Sequence, residues 1–162
     1  MKNKIVFLCV GIVIGMLVGI VIYNGFQEKT QDMIYNNEKV EMKVSIPKAW
    51  TYKTVTPQAA SETTEGSPDS GIEIYVNGDS NAKLYFYQQD ATISFGEGEG
   101  EDFYTNLKLK GKLYKSDTKA QVNHILIFDE WKCAMVYNMD AATYKKYESQ
   151  ILKVLKSISI MN

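Results

Sequence analysis

Four carboxylates lie close together between glycines, in a stretch that could bind a metal ion. Residues 95–102 read FGEGEGED, and their carboxylates are Glu97, Glu99, Glu101 and Asp102. Ca²⁺ prefers carboxylate and carbonyl oxygens, and glycines give a backbone the freedom to fold around an ion. The spacing differs from that of an EF-hand loop, however, and a solvated acidic turn accounts for the same residues. The stretch is therefore a weak metal-site candidate, with an exposed turn as the alternative.

Other residue types that support catalysis are scarce in this chain. His124 is the only histidine, and it alternates with apolar residues in a pattern that predicts a buried strand position. Cys133 alternates in the same way, and Cys9 lies in an apolar run, so no intrachain disulfide is expected. The chain has no glycine-rich phosphate loop, HExxH motif or paired cysteine ligands. We therefore expect a non-catalytic protein without a cofactor. The alternative is an envelope hydrolase that uses acidic loop residues, since carboxylates from distant loops catalyse glycoside hydrolysis.

The charge balance argues against several partner classes. The 162 residues carry a net charge of −1, and all 18 basic residues are lysines. Without arginine, bidentate phosphate recognition is disfavoured, and a mildly acidic chain does not attract nucleic acid. Five lysines between residues 108 and 119 make that stretch locally basic. These lysines either form a solvated face or bind an anionic partner, such as lipid head groups or wall polymer.

The N-terminal sequence predicts a membrane anchor. Residues 5–23 contain no charged side chain and follow Lys2 and Lys4. As a helix this run would be about 28 Å long, close to the thickness of a bilayer core. The two lysines orient the N-terminus toward the cytoplasm by the positive-inside rule. The expected organisation is a cytoplasmic tail (1–4), a transmembrane anchor (5–23), a juxtamembrane spacer (24–38) and an extracytoplasmic domain (39–162).

Three glycines of the apolar run could form a helix contact surface. Gly11, Gly15 and Gly19 are four residues apart, which places them on one face of a helix. This spacing allows a second membrane helix to approach closely, although glycine is also common in membrane helices without such a role.

The remaining sequence predicts a sheet followed by a helix. Residues 40–46 alternate as a strand, and two hairpins follow at about 72–86, around Asn77-Gly78, and at 122–137. Tyr75, Tyr85 and Tyr87 share one face of the first hairpin, where they pack across strands or form a binding platform. Residues 56–70 read as an exposed loop, and 103–119 fit a helix or a strand equally well. Asp140 is the expected N-cap of an amphipathic helix. The predicted fold class is α+β, an antiparallel sheet covered by the C-terminal helix behind the N-terminal transmembrane helix.

Two segments resemble a known family. The motif VSIPKAW at residues 44–50 and the ending YESQILKVLKSISI at 147–160 are similar to extracytoplasmic PsbP-like domains, over about residues 39–162. The resemblance implies an antiparallel sheet covered by helices and a non-enzymatic accessory or binding role. It transfers no functional residue, and the loop at 56–70 departs from the family pattern. The expected function is that of a single-pass membrane-anchored extracytoplasmic accessory or binding protein. Its expected partners are the membrane and a protein bound through the anchor helix or the outer domain.

Overall fold

The computed structural model describes residues 29–36, 41–55, 70–88 and 99–161. Within these ranges the chain forms ten strands and one α-helix. In chain order the elements are β1 (Thr30–Asn36), β2 (Glu41–Pro47), β3 (Thr51–Val55), β4 (Ser70–Tyr75), β5 (Lys83–Gln88), β6 (Glu101–Tyr104), β7 (Lys110–Lys115), β8 (Gln121–Phe128), β9 (Cys133–Asp140), α1 (Ala141–Ser157) and β10 (Ser159–Met161).

A three-stranded antiparallel sheet forms around β2, in the order β1-β2-β10. The alternation of β2 buries Met42, Val44 and Ile46 on one face, as a period of two requires. Thr30 pairs with Pro47 on one side of β2, and Ile160 pairs with Met42 on the other. The sheet therefore brings both ends of the described chain together.

The other seven strands form an antiparallel sheet in the order β3-β4-β5-β9-β8-β7-β6. The predicted hairpin between β4 and β5 is confirmed. Its turn has positive φ at Asn77 (51°) and Gly78 (75°), which these residue types tolerate well. The predicted second hairpin is also confirmed as β8 and β9. Trp131 belongs to the turn between them rather than to a strand. Residues 103–119 contribute β6 and β7, so the strand alternative holds there.

Helix α1 begins and ends with specific hydrogen bonds. Asp140 is the N-cap, as predicted, and its Oδ1 accepts a bond of 2.8 Å from the Thr143 N–H. At the other end, the Ser157 hydroxyl oxygen accepts a bond of 2.9 Å from the Ser45 N–H and donates to the Val154 carbonyl at 2.7 Å. Because β10 pairs only with Glu41 to Lys43, Ser157 supplies the next partner that β2 needs.

One hydrophobic core joins both sheets and the helix. Tyr35 of the small sheet meets Phe86 of the large sheet edge-on, with ring centroids 6.0 Å apart. The helix contributes Ile151, Val154 and Leu155, each about 1% exposed. The core thus lies between the inner face of the large sheet and the layer formed by the small sheet and α1.

The predicted fold class was wrong. The described chain is mostly antiparallel β-structure in two sheets, whereas the sequence predicted one sheet covered by a helix behind a transmembrane helix. Residues 30–36, assigned from their polarity to a spacer, form β1 and bury Met33 and Tyr35. In the part of the chain that the structure describes, no helix is long and apolar enough to cross a membrane.

The N-terminal predictions lie outside the described residues. Residues 5–23, with Gly11, Gly15 and Gly19, precede Lys29, where the described chain begins. Most of the predicted loop, residues 56–69, is also outside.

The packing of α1 gives a first prediction. Leu155→Ala should lower the free energy of unfolding by about 2–5 kcal/mol, because it removes a fully buried side chain and leaves a cavity. Leu152→Ala is the matched control. Leu152 is 42% exposed on the same helix, so its truncation should change stability by less than about 0.5 kcal/mol. Chemical denaturation measures both, and equal effects would contradict the packing of the helix.

Candidate functional site

The predicted acidic cluster does not converge in the described part of the chain. Glu99 is exposed beside β6, while Glu101 and Asp102 are consecutive in that strand and therefore project from opposite faces. Glu101 bonds the Lys115 ammonium at 2.6 Å, and Asp102 bonds the Lys112 ammonium at 2.6 Å. The hydrogen bond from Lys112 lowers the pKa of the Asp102 carboxyl. Each of these two carboxylates thus has a lysine partner across the strand pair.

No metal centre emerges among the residues that the structure describes. None of their histidine, cysteine and acidic side chains form a group of three or more able to hold an ion. Glu97 lies outside the described residues, so the metal hypothesis for the whole stretch stays a prediction.

A small cleft lies where β7 begins and β8 ends, next to the turn after β8. Its volume is about 280 Å³, and its lining residues are Lys110, Gly111, Lys112, Ile127, Asp129 and Glu130. The hydrolase alternative expects two of the predicted carboxylates in one concave site. The cleft instead has the adjacent Asp129 and Glu130, both exposed, and two lysines also line it. The hydrolase alternative gains no support from this geometry.

The single histidine is buried and hydrogen-bonded at both ring nitrogens. Its Nδ1 lies 2.8 Å from the Tyr137 hydroxyl oxygen, and its Nε2 lies 3.0 Å from an Asp117 carboxylate oxygen. The Tyr144 ring packs edge-on against it at 5.3 Å between centroids. His124 is only 3% exposed, so a substrate could not reach the ring. The predicted buried histidine is confirmed, and it links β8 to β9, α1 and the turn before β8.

The thiol of Cys133 and the phenol of Tyr137 are also poorly suited to nucleophilic attack. Burial raises the pKa of the Cys133 thiol to about 12, and its Sγ lies 3.2 Å from the Trp131 carbonyl oxygen. Burial likewise raises the pKa of the Tyr137 phenol far above its usual value, and the neighbouring Tyr144 adds to the shift. A thiol or phenol with a raised pKa stays protonated at neutral pH and is a poor nucleophile.

The tyrosines on the outer face of the first hairpin pack against each other and the sheet. The rings of Tyr85 and Tyr87 stack with centroids 5.5 Å apart. The Tyr85 ring covers Gly71, where a Cβ would come within 2.7 Å of a ring carbon. Tyr75 donates a hydrogen bond to the Glu73 carboxylate. These contacts favour the cross-strand alternative over a free aromatic platform.

Strand β3 differs from the other strands in being exposed on both faces. Thr51, Tyr52, Lys53 and Thr54 are all exposed, and Tyr52 keeps 50% of its surface in solvent. Its only neighbour in the sheet is β4, and no other described strand pairs with its outer edge. The unpaired N–H and C=O groups of such an edge are a template for another extended chain.

Lys53 provides a charge in the middle of this edge. It lies opposite Glu73 of β4, and the two side chains share one face of the sheet. Glu73 already binds the Lys83 ammonium at 2.5 Å, and this bond, helped by the Tyr75 hydroxyl, lowers the pKa of its carboxyl. In the described part of the chain no ion pair involves Lys53. The charge of Lys53 helps to lower the pKa of the Glu73 carboxyl, but its ammonium makes no close ion pair there and can still meet a carboxylate of an incoming strand.

Strand β3 was not predicted as a site from the sequence. Residues 51–55 read TYKTV, which has strong β-forming side chains but no alternation between apolar and polar residues. That missing alternation, directly after a buried Trp50, was the one available signal of a strand without a buried face.

Comparison with protein-family models, with curated proteins and with solved structures found no match to this chain. The PsbP-like resemblance therefore stays a prediction.

The histidine network gives a second prediction. Tyr137→Phe removes the hydroxyl that bonds His124 Nδ1, so stability should fall by about 1–3 kcal/mol, the cost of a buried unsatisfied group. The phenol of Tyr137 has a raised pKa in the folded state. Its contribution is therefore complete below about pH 10, the unfolded pKa, and is lost as the pH rises further.

Denaturation midpoints between neutral pH and pH 11 test this prediction. The variant should lose stability less steeply than the wild type above pH 10. Tyr104→Phe is the control, because Tyr104 is 49% exposed and should leave both the midpoint and its pH dependence unchanged. A Tyr137→Phe protein as stable as the wild type would contradict the network.

Proposed function

We propose that this protein is a non-catalytic binding protein whose β-rich domain captures an extended segment of a protein partner along β3. The observation that carries the proposal is the exposure of β3 on both faces together with an outer edge that pairs with no other described strand. The weak case for catalysis supports it, because the buried histidine, thiol and phenol described above are unsuited to reaction chemistry.

Strand addition explains how such a site would combine affinity with selectivity. Main-chain hydrogen bonds to the open edge supply affinity for any extended chain, and alternate side chains supply the preference. On one face an acidic residue would neutralise Lys53. On the other face an aromatic or β-branched residue would cover Tyr52, which is half-exposed in the free domain. The preferred segment therefore alternates, with an acidic residue on one side and apolar residues on the other.

A second copy of this chain is a poor occupant of the edge. The antiparallel register that pairs all five residues of two β3 strands places Lys53 directly opposite Lys53. Like charges at directly opposed positions destabilise a strand pair. Lysine on an edge strand is also a known protection against self-association. The same residue thus disfavours self-pairing and favours an acidic partner.

The proposed setting is that of an accessory or binding protein at the outer side of a membrane. This localisation is supported by the sequence of residues 1–23 alone and stays a prediction. The non-enzymatic role implied by the PsbP-like resemblance agrees with it.

Peptide selection tests the proposed site. The full-length protein in detergent, held through a C-terminal tag, is panned against displayed random peptides, once as the wild type and once as Lys53→Glu. We expect wild-type binders to alternate β-forming residues and to carry an acidic residue at a fixed register position. The Lys53→Glu protein should select a basic residue there. Acidic peptides should bind the variant about two- to tenfold more weakly, the effect of one exposed ion pair turned into a repulsion.

Lys119→Glu is the matched control. Lys119 is an exposed lysine in the turn before β8, and its reversal should leave the selected peptides unchanged. Amide hydrogen exchange of the complex should show new protection within residues 51–55. Binders that lack the alternation, or an identical selection by wild type and Lys53→Glu, would contradict strand addition at β3.

A further inference from the structure

The solvent-facing side of α1 is basic and has an exposed leucine in its centre. At 100° per residue, Lys145, Ser149, Leu152 and Lys156 fall along one line of the helix. Lys153 lies beside this line, as does Lys146, and all six side chains are exposed. This set is called the basic face. The whole chain has a net charge of −1, so four lysines on one side of a helix are a local concentration of positive charge.

The charge of the basic face is not neutralised within the domain. Among the described residues, no ion pair involves any of its lysines. Lys146 contacts only the ring of Tyr147, 4.9 Å from its ammonium. The one acidic residue of the helix, Glu148, is also exposed and lies as close to this line as Lys153, on its other side, where its carboxylate accepts a hydrogen bond from the Tyr144 hydroxyl. Four lysines against one glutamate leave the face with an excess of positive charge.

A hydrogen-bonded turn adds a second exposed leucine near the C-terminal end of this face. Between β6 and β7, the Thr105 N–H donates to the Leu109 carbonyl at 3.0 Å, and the Thr105 hydroxyl accepts from the Leu109 N–H at 3.2 Å. The turn is fixed to the helix because the Asn106 N–H donates to the Lys156 carbonyl at 2.8 Å. Leu107, at its tip, is 72% exposed, the largest value among the large apolar side chains of the described residues. Lys108 follows it and is also exposed.

We propose that the basic face and the Leu107 turn dock the domain onto a bilayer surface rich in anionic lipids. The lysines match the charge of the head groups, and Leu107 and Leu152 would enter the boundary between head groups and acyl chains. A soluble polyanion would use the lysines but leave both leucines in water, so the combination favours lipid. The proposal does not depend on strand addition at β3.

The position of the described N-terminus agrees with this orientation. Ser157, at the end of α1, bonds Ser45, and Ser45 is two residues from Pro47, the partner of Thr30. Two residues of a strand span about 7 Å. The chain therefore enters the domain close to the C-terminal end of α1. The uncharged residues 5–23 precede that point by only five residues.

A fluorescence experiment on the full chain tests the docking. An environment-sensitive dye on Ser149→Cys, in a Cys9→Ser background, reports on the basic face, while Cys133 is buried and its raised pKa keeps it unreactive. The protein is reconstituted into vesicles of phosphatidylcholine alone or with one third phosphatidylglycerol. With phosphatidylglycerol we expect a blue shift of the dye and quenching by doxyl-labelled lipids. Both should disappear near 1 M salt, where the screening length falls to about 3 Å.

Matched variants separate the two components of the surface. Lys156→Gln should reduce the ratio of docked to undocked protein about fivefold, the contribution of one lysine near an anionic surface, while Lys119→Gln should not. Leu107→Ser should weaken quenching, whereas Ile34→Ser, which removes a 60% exposed side chain from β1, should not. Circular dichroism confirms that each variant is folded.

Three outcomes would overturn the proposal. The first is a dye that stays in water in anionic vesicles. The second is equal loss of docking in Lys156→Gln and Lys119→Gln. The third is polyphosphate binding that persists without lipid and is unaffected by Leu107→Ser, which would identify the face as a site for soluble polyanions.

Discussion

Strand β2 is paired on both sides, and the rest of the domain depends on this pairing. Its residue Met42 lies between Tyr35 of β1 and Ile160 of β10, which come from the two ends of the described chain. Because β10 directly follows α1, the pairing also holds the helix against the core. The Ser157 hydroxyl then continues the contact to Ser45, where β10 has ended. The helix in turn fixes the turn that carries Leu107.

The elements that the sequence predicted are those with a local signal. The β4–β5 hairpin follows from Asn77-Gly78, and the start of α1 follows from the Asp140 cap, because a turn and a cap depend on neighbouring residues. Strands β1 and β10 were missed, since β1 is largely polar, β10 has only three residues, and both acquire their role by pairing with a distant β2. For the same reason the division into two sheets was not predictable. Non-local pairing leaves little trace in the sequence of each strand.

The candidate site was unpredictable for a related reason. The alternation used to find strands detects one buried face, and β3 has none. The acidic stretch was predicted as a site instead, because carboxylates suggest metal binding or catalysis by residue type alone. Whether they form a site depends on where the fold places them. Consecutive strand positions send Glu101 and Asp102 to opposite faces, where each meets its own lysine.

Polar groups that already have hydrogen-bond partners stabilise the fold, whereas groups without a partner can bind another molecule. The buried polar atoms of His124 have partners, as the cost of desolvating them requires. The outer edge of β3 has no partner among the described strands, and pairing with β4 on the other side holds β3 in the sheet. Six strand positions separate β3 from β6, which leads into the Leu107 turn, up to about 29 Å at 4.8 Å per strand. A domain that rests on a bilayer through that turn and α1 would therefore keep β3 accessible to a partner, because the Leu107 turn and β3 lie at opposite edges of the same sheet.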